Sequence, residues 1–135
     1  MEKLLNINKN SGKYNSKKKR KNKTKRGKKS KKERFVNIFS TNAAQLKGKI
    51  NSFKNELKGT NAAVFTVQET HFATKGKFKV EEFKIFEAIR KKAKGGTAVG
   101  VHKALEPFLI QEYCDDFELL VVEFKVGEKD IRIIS

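Results

Sequence analysis

The sequence predicts an α/β fold, and three observations carry that prediction. Two short apolar runs rich in β-forming residues, 35–41 and 63–68, flank a segment with helical spacing. From residue 83 onward, strand-like runs alternate with polar turns. Strand, helix and strand in this order predict a right-handed crossover between two parallel strands.

The segment between the two runs predicts an amphipathic helix of about four turns. Four apolar residues recur there at helical spacing, with polar residues between them: Leu46, Ile50, Phe53 and Leu57. Lys58 and Gly59 supply a C-terminal stop for this helix. The first run, 35–41, is expected to be a buried strand that Asn42 ends.

The remainder of the chain is rich in predicted strands. Candidate strands occupy 83–89, 97–102, 108–113 and 118–126, and a tight turn at 126–130 leads into 131–135. The expectation is therefore one helix and about six strands. One helix cannot cover the apolar faces of so many strands, so we expect an incomplete second sheet and a domain truncated at the C-terminus.

Charge is spread unevenly along the chain and divides it at Phe35. Residues 1–34 hold 16 Lys and Arg against 2 acids, whereas residues 35–135 hold 16 against 13. The segment 17–34 contains no aliphatic or aromatic residue, so it has nothing to bury and is expected to be disordered alone. The sequence therefore predicts a basic tail, 1–34, and a folded portion, 35–135.

The basic tail predicts binding to nucleic acid, with DNA favoured over RNA, through its phosphates. A nuclear-localisation signal is the second interpretation of the same residues, and a solubilising tail is disfavoured because so many positions share one sign. The candidate contacts are Lys17, Lys18, Lys19, Arg20, Lys21, Lys23, Lys25, Arg26, Lys28, Lys29, Lys31, Lys32 and Arg34.

Cellular location follows from the same composition. Cys114 is the only cysteine, so an internal disulfide is excluded and a reducing compartment is expected. No run approaches the roughly 20 apolar residues of a membrane span, so no membrane partner is predicted. The expected location is nuclear because of the tail, and otherwise cytoplasmic.

Two polar residues follow the predicted parallel strands and are the candidates for chemistry. Asn42 follows the first strand and Glu69 follows the second, so both belong at the carboxyl edge of one sheet, where ligand sites of α/β proteins collect. A carboxylate and a carboxamide placed there can share a hard cation such as Mg²⁺. From placement alone, however, a solvated loop residue is the commoner interpretation of Glu69.

Three motifs in the expected order resemble those of the endonuclease/exonuclease/phosphatase superfamily. Residues 38–46, around Asn42, resemble its opening Asn motif; residues 65–72, containing Gln68-Glu69-Thr70-His71, resemble its Gln-Glu-Thr-His motif; and residues 94–101 resemble its Gly-Gly strand. The resemblance covers residues 36–135. It is closest to the endonuclease domains of non-LTR retrotransposons, which accompany a reverse transcriptase and are similar to apurinic/apyrimidinic endonucleases.

The resemblance implies a four-layer α/β sandwich, of which residues 35–135 form the N-terminal portion. It implies that Glu69 is the ligand of a catalytic Mg²⁺, with Mn²⁺ as the other candidate ion. It also implies that Asn42 orients the metal and the scissile phosphate. Both residues are accordingly the expected catalytic and metal-binding residues of a DNA endonuclease.

The sequence departs from the family pattern in ways that bear on activity. Ala44 stands where many relatives have a second polar residue, and the family's Tyr-x-Pro, Asp-x-Asn and late Asp-His motifs have no counterpart. We therefore expect a fragment that is inactive alone, with the missing C-terminal half as a possible partner in a longer chain. The alternative is a non-catalytic nucleic-acid-binding protein that works through its basic tail. A lipid phosphatase of the same superfamily is a weaker third hypothesis.

Three other features have simpler interpretations. Gly95-Gly96-Thr97 predicts a turn into a strand, because no Gly-Lys-Ser/Thr follows it. The position of His71 beside Glu69 suggests metal ligation, but a packed or hydrogen-bonding loop residue is the expected interpretation in this motif. Cys114 lacks the flanking residues of a catalytic nucleophile.

Overall fold

A computed structural model of the chain describes residues 35–90, 94–114 and 117–135. Within these ranges it contains one α-helix and seven strands in two sheets, which confirms the predicted α/β fold. The basic tail, with all its candidate nucleic-acid contacts, lies outside the described residues. Its disorder and the domain boundary at Phe35 therefore stay predictions.

The strands form a sheet of four and a sheet of three. The elements are β1 (Ile38–Asn42), α1 (Ile50–Thr60), β2 (Val64–Gln68), β3 (Phe83–Ala88), β4 (Thr97–His102), β5 (Phe108–Tyr113), β6 (Leu119–Val126) and β7 (Lys129–Ile134). The first sheet has the order β1-β2-β4-β3 and the second has the order β5-β6-β7. The β1–β2 pair is parallel, as predicted from the strand–helix–strand order, and the other four strand pairs of the described residues are antiparallel.

The expectation that the first strand is buried was wrong. In β1, Ile38, Ser40 and Asn42 are exposed, whereas Phe39 and Thr41 are half-buried. The reason is topological, because β1 lies at the edge of the four-stranded sheet in the described ranges and is covered by α1 on one face only. Its neighbour β2 is central, and four of its five residues are buried.

The predicted four-turn helix is divided into two pieces. Leu46–Gly48 form a 3₁₀ turn, and α1 begins at Ile50, because Lys49 has the non-helical angles φ −127° and ψ 16°. The helix ends at Thr60 and not at the predicted Lys58-Gly59 stop, with Asn61 in the left-handed conformation that terminates helices. No helix of the described part of the chain is long and apolar enough to cross a bilayer.

The first sheet has an apolar core on each of its faces. Residues of β2 alternate between these cores, because successive side chains of a strand point to opposite faces. Phe65 and Val67 join Phe53 and Leu57 of α1 on one face. Val64 meets the second sheet on the other face, where the buried residues of β6 are Leu120, Val122 and Phe124. The layers are therefore helix, sheet and sheet.

Candidate functional site

The carboxyl ends of β1 and β2 lie side by side, as the sequence predicted. Asn42 is the last residue of β1 and is paired in register with Gln68, the last residue of β2. Glu69 follows directly. We call the residues that leave these two strands, Asn42–Gln45 and Glu69–His71, the strand-end site.

Backbone hydrogen bonds continue beyond the strands and hold the two halves of this site together. Ala43 N–H donates to the Gln68 carbonyl at 3.0 Å, and Gln45 N–H donates to the Glu69 carbonyl at 2.9 Å. The Lys49 ammonium lies 3.3 Å from the Ala43 carbonyl and 3.4 Å from the Ala44 carbonyl. The spacing between Asn42 and Glu69 is therefore fixed by the main chain.

Several residues of the strand-end site have strained backbone conformations. Seven non-glycine residues in the described ranges have positive φ, and four of them belong to this site: Ala44, Gln45, Glu69 and His71. Each such conformation costs about 1–2 kcal/mol for an L-residue. Strain of this kind persists where surrounding contacts enforce it, and it is commonest at sites that bind or react.

Glu69 and His71 converge because the residue between them points inward. The Thr70 side chain is buried, so its two neighbours project together to the outside. His71 Nε2 and Glu69 Oε2 lie 2.8 Å apart, with the Glu69 side chain 45% exposed and the His71 side chain 21% exposed. The expectation that His71 is a hydrogen-bonding loop residue is therefore met, and its partner is the candidate metal ligand.

The two glycines before β4 brace this segment. Thr70 N–H donates to the Gly96 carbonyl and His71 N–H to the Gly95 carbonyl, at 3.2 and 2.9 Å. Both glycines have positive φ, and a Cβ on Gly96 would lie 2.5 Å from Thr70 Oγ1. Gly95 and Gly96 thus form the predicted turn into a strand, and their close approach to the backbone after β2 requires glycine.

Glu118 is a component of this brace that sequence reasoning missed. Its Oε1 accepts a hydrogen bond from Gly96 N–H at 3.1 Å and lies 3.5 Å from Arg90 Nε. A carboxylate 22 positions after the glycine carries no local signal of this contact. Only the packing of the second sheet on the first brings it there.

Asn42 is exposed and positioned by a turn of its own. Its Oδ1 accepts a hydrogen bond from Ala44 N–H at 3.0 Å, which is the Asx turn that asparagine favours after a strand. Many relatives have a second polar residue at the position of Ala44. Alanine has no polar side chain, so Asn42 alone provides one in this turn. The carboxamide therefore faces solvent at the same edge as Glu69.

The donor set of the strand-end site fits a hard divalent cation. Mg²⁺ is typically held by one or two protein oxygens and keeps several waters, and an accessible carboxylate beside a carboxamide meets that requirement. No cluster of three or more His, Cys, Asp or Glu residues is present in the described ranges. A site built on Glu69 is therefore a water-rich one.

Cys114 is an unfavourable nucleophile in its surroundings. Burial and the neighbouring Glu112 carboxylate raise the pKa of its thiol, and Sγ donates a hydrogen bond to Glu112 Oε1 at 3.2 Å. A raised pKa reduces the thiolate fraction on which reactivity depends.

The fold is similar to those of solved endonucleases and of a 3′ phosphatase. An AP endonuclease from Leishmania major is 16% identical with a TM-score of 0.56, over 72% of this chain and 38% of that one. A 3′ phosphatase from Neisseria, solved with a product DNA hairpin, is 16% identical with a TM-score of 0.52, over 72% of this chain and 39% of that one. The endonuclease domain of TRAS1, a telomere-specific non-LTR retrotransposon, is 17% identical with a TM-score of 0.52, over 73% of this chain and 43% of that one.

These likenesses establish an endonuclease/exonuclease/phosphatase-like fold, which confirms at the level of fold the resemblance carried by the motifs. The chain spans less than half the length of each of these three structures. Its sequence matches no family model and no curated protein.

Proposed function

We propose that this chain is a fragment of a Mg²⁺-dependent DNA endonuclease of retrotransposon origin, and that it carries the metal-binding part of the site. The observation that carries the proposal is the strand-end site itself. Backbone hydrogen bonds between the segments that follow β1 and β2 hold Asn42 and Glu69 at the carboxyl edge of the parallel strands, and Glu69 has a strained, left-handed backbone conformation. Ligand sites of α/β folds collect at that edge.

Each candidate residue has a distinct task in this proposal. The Glu69 carboxylate would hold the divalent ion, and the Asn42 carboxamide, anchored by Ala44 N–H, would orient the ion and the scissile phosphate. A bound ion would supply neutralisation of the phosphate charge and of the leaving oxygen. The site is solvent-accessible at Glu69, as a polymeric substrate requires.

The proposal assigns DNA as the substrate. The similar folds belong to an AP endonuclease, a retrotransposon endonuclease domain and a phosphatase solved with a DNA hairpin, and these support nucleic acid over a lipid phosphate. The net charge of +14 in residues 1–34 supports the same polyanion.

The fragment is proposed to be inactive alone. Hydrolysis of a phosphodiester needs an activated water in addition to a cation, and the family motifs that supply it have no counterpart in residues 35–135. A second polypeptide segment would have to bring those residues to the strand-end site.

Nicking of supercoiled plasmid DNA in Mg²⁺ or Mn²⁺ tests the activity. We expect the purified chain to nick no faster than its Glu69→Gln variant. Nicking that depends on Glu69 would contradict the proposed inactivity while supporting the assignment of the site. An exposed carboxylate of α1 gives the matched control, Glu56→Gln.

A non-catalytic nucleic-acid-binding protein is the second candidate, and the concentration of charge in the tail favours it. In that case Glu69 has no role, and DNA affinity depends on residues 1–34 alone. A nuclear location fits either function. The two candidates differ in whether Glu69→Gln abolishes metal binding, which only the nuclease proposal requires.

A further inference from the structure

The pair formed by Glu69 and His71 has the geometry of two neighbouring ligands of one ion. Nε2 and Oε2 lie 2.8 Å apart. Two ligands that each sit about 2.1 Å from a metal, at a right angle, are themselves about 3.0 Å apart. The pair can therefore accept an ion between its two atoms with a movement of only a few tenths of an ångström.

The backbone maintains this convergence at a cost. Glu69 and His71 both have left-handed φ, 59° and 57°, while Thr70 between them is buried. Hydrogen bonds to Gly95 and Gly96 hold Thr70 and His71, and Gln45 N–H holds the Glu69 carbonyl. A hydrogen bond between two surface side chains does not by itself require two strained residues and an inward-facing third.

The donor types indicate which ions the pair prefers. Mg²⁺ favours oxygen ligands, whereas imidazole nitrogen suits Mn²⁺, Co²⁺ and Zn²⁺ progressively better. We propose that Glu69 and His71 chelate a divalent transition-metal ion such as Mn²⁺, so that the strand-end site prefers it to Mg²⁺. This inference rests on the proposed function in one respect, which is that Glu69 is a metal ligand.

The chain contains a natural control for this pair. It has two histidines, and the second, His102, lies 3.4 Å from Glu82. The other ring nitrogen of His102 accepts a hydrogen bond from Ala104 N–H at 3.2 Å. That ring is engaged by the start of a 3₁₀ turn, and its separation from the carboxylate is larger.

The test uses the full chain with imidazole-labelled histidine and two metals. We expect Mn²⁺ to broaden the His71 ring signals at concentrations that leave those of His102 sharp. Calorimetric titrations should show that His71→Gln weakens Mn²⁺ binding at least about tenfold, since loss of even an indirect partner of a metal costs that much. Mg²⁺ affinity should change far less, and His102→Gln should leave both affinities unaltered.

A second variant separates ligation from a structural effect. Asp tolerates left-handed φ and replaces the nitrogen donor by oxygen, so His71→Asp should still bind metal but with the preference shifted toward Mg²⁺. An unchanged ratio of Mn²⁺ to Mg²⁺ affinity in both His71 variants, with binding still dependent on Glu69, would overturn the chelate and leave the proposed function standing. Metal binding that survives Glu69→Gln would overturn both.

Discussion

At the scale of single residues, Gly100 of β4 leaves space for the ring of Phe65, its partner on the neighbouring strand β2. A Cβ at this position would lie 2.1 Å from two atoms of the Phe65 ring, which is fully buried between β4 and α1. The ring cannot move away, because Phe53 packs edge-on against it at 5.1 Å between centroids. Glycine is therefore required here by space.

We predict that Gly100→Ala destabilises the protein by about 1–3 kcal/mol, the usual cost of overpacking a core. The matched control is Gly59→Ala, because Gly59 lies within α1 and a Cβ there meets nothing within 4 Å. That variant should gain about 0.5–1 kcal/mol from helix propensity. Urea midpoints of the two variants give the measurement, and equal shifts would contradict the packing argument.

Glu87 is a buried carboxylate with one unsatisfied oxygen. Its Oε2 accepts a hydrogen bond from Gly76 N–H at 2.8 Å, whereas Oε1 has no partner among the described residues. Burial raises the pKa of Glu87, and the Gly76 hydrogen bond and the charge of Lys75 oppose that effect only in part. The ionised form is therefore disfavoured in the folded state.

This gives a prediction with a definite sign. Because the folded pKa exceeds the unfolded one, the folded state binds more protons between them, and stability falls as the pH rises through that window. The Glu87→Gln side chain resembles the neutral acid at every pH, so this variant should not lose stability as Glu87 ionises. Its urea midpoint should match the parent near about pH 4 and exceed it near about pH 7. A variant less stable than the parent at neutral pH would contradict this account.

At the site, the sequence was sufficient to place Asn42 and Glu69 at one edge of the sheet, because parallel strands end together; the roles of the two residues stay predictions. It was insufficient to identify Glu118, and it set His71 beside Glu69 without establishing their contact. The first depends on the packing of two sheets, and the second on backbone angles that L-residues rarely adopt.

At the scale of elements, the tight turn of the β6–β7 hairpin depends on Gly127. Two residues, Gly127 and Glu128, join the paired ends Val126 and Lys129. Gly127 has φ 65°, whereas Glu128 does not have positive φ. A positive φ at the first central residue alone is typical of a type II′ turn, whose twist matches that of the strands.

We predict that Gly127→Ala destabilises the protein by about 1–2 kcal/mol, because alanine must adopt a conformation that its Cβ opposes. Glu128→Ala, in the same turn, should change stability by less than about 0.5 kcal/mol. Chemical denaturation of both variants provides the comparison. A larger loss at Glu128 than at Gly127 would show that the turn depends on side-chain contacts.

Elements were predicted well where local pattern determines them. The bounds of β4 and β5 agree with the strand runs read from sequence, because polar or turn-forming residues flank both. The break in the helix at Lys49 was not predictable, since Leu46 and Ile50 keep helical spacing across it. The exposure of β1 was not predictable either, because an apolar run does not say whether its strand is central or at an edge.

At the scale of the whole molecule, most of the net charge lies in residues that are separate in sequence from those the structure describes. Of the net +17, residues 1–34 contribute +14 and residues 35–135 contribute +3. Strand order and the packing of one sheet on the other could not be read from sequence, because both depend on contacts between residues far apart along the chain.

This separation predicts how DNA binding responds to salt. If the tail neutralises about six phosphates, the slope of log K against log salt should be about −5. Deleting residues 1–34 should flatten the slope and weaken binding to all sequences alike, as measured by fluorescence anisotropy. An unchanged slope after the deletion would place the binding surface within residues 35–135.

The central claim is that Glu69 is a metal ligand at the carboxyl edge of the parallel strands. Titration of the full chain with Mg²⁺, followed through the amide signals of residues 42–45 and 69–71, tests it most directly. We expect saturable shifts that are confined to these segments, abolished in Glu69→Gln and retained in Glu56→Gln. Identical titrations for the parent and the Glu69→Gln variant would contradict it.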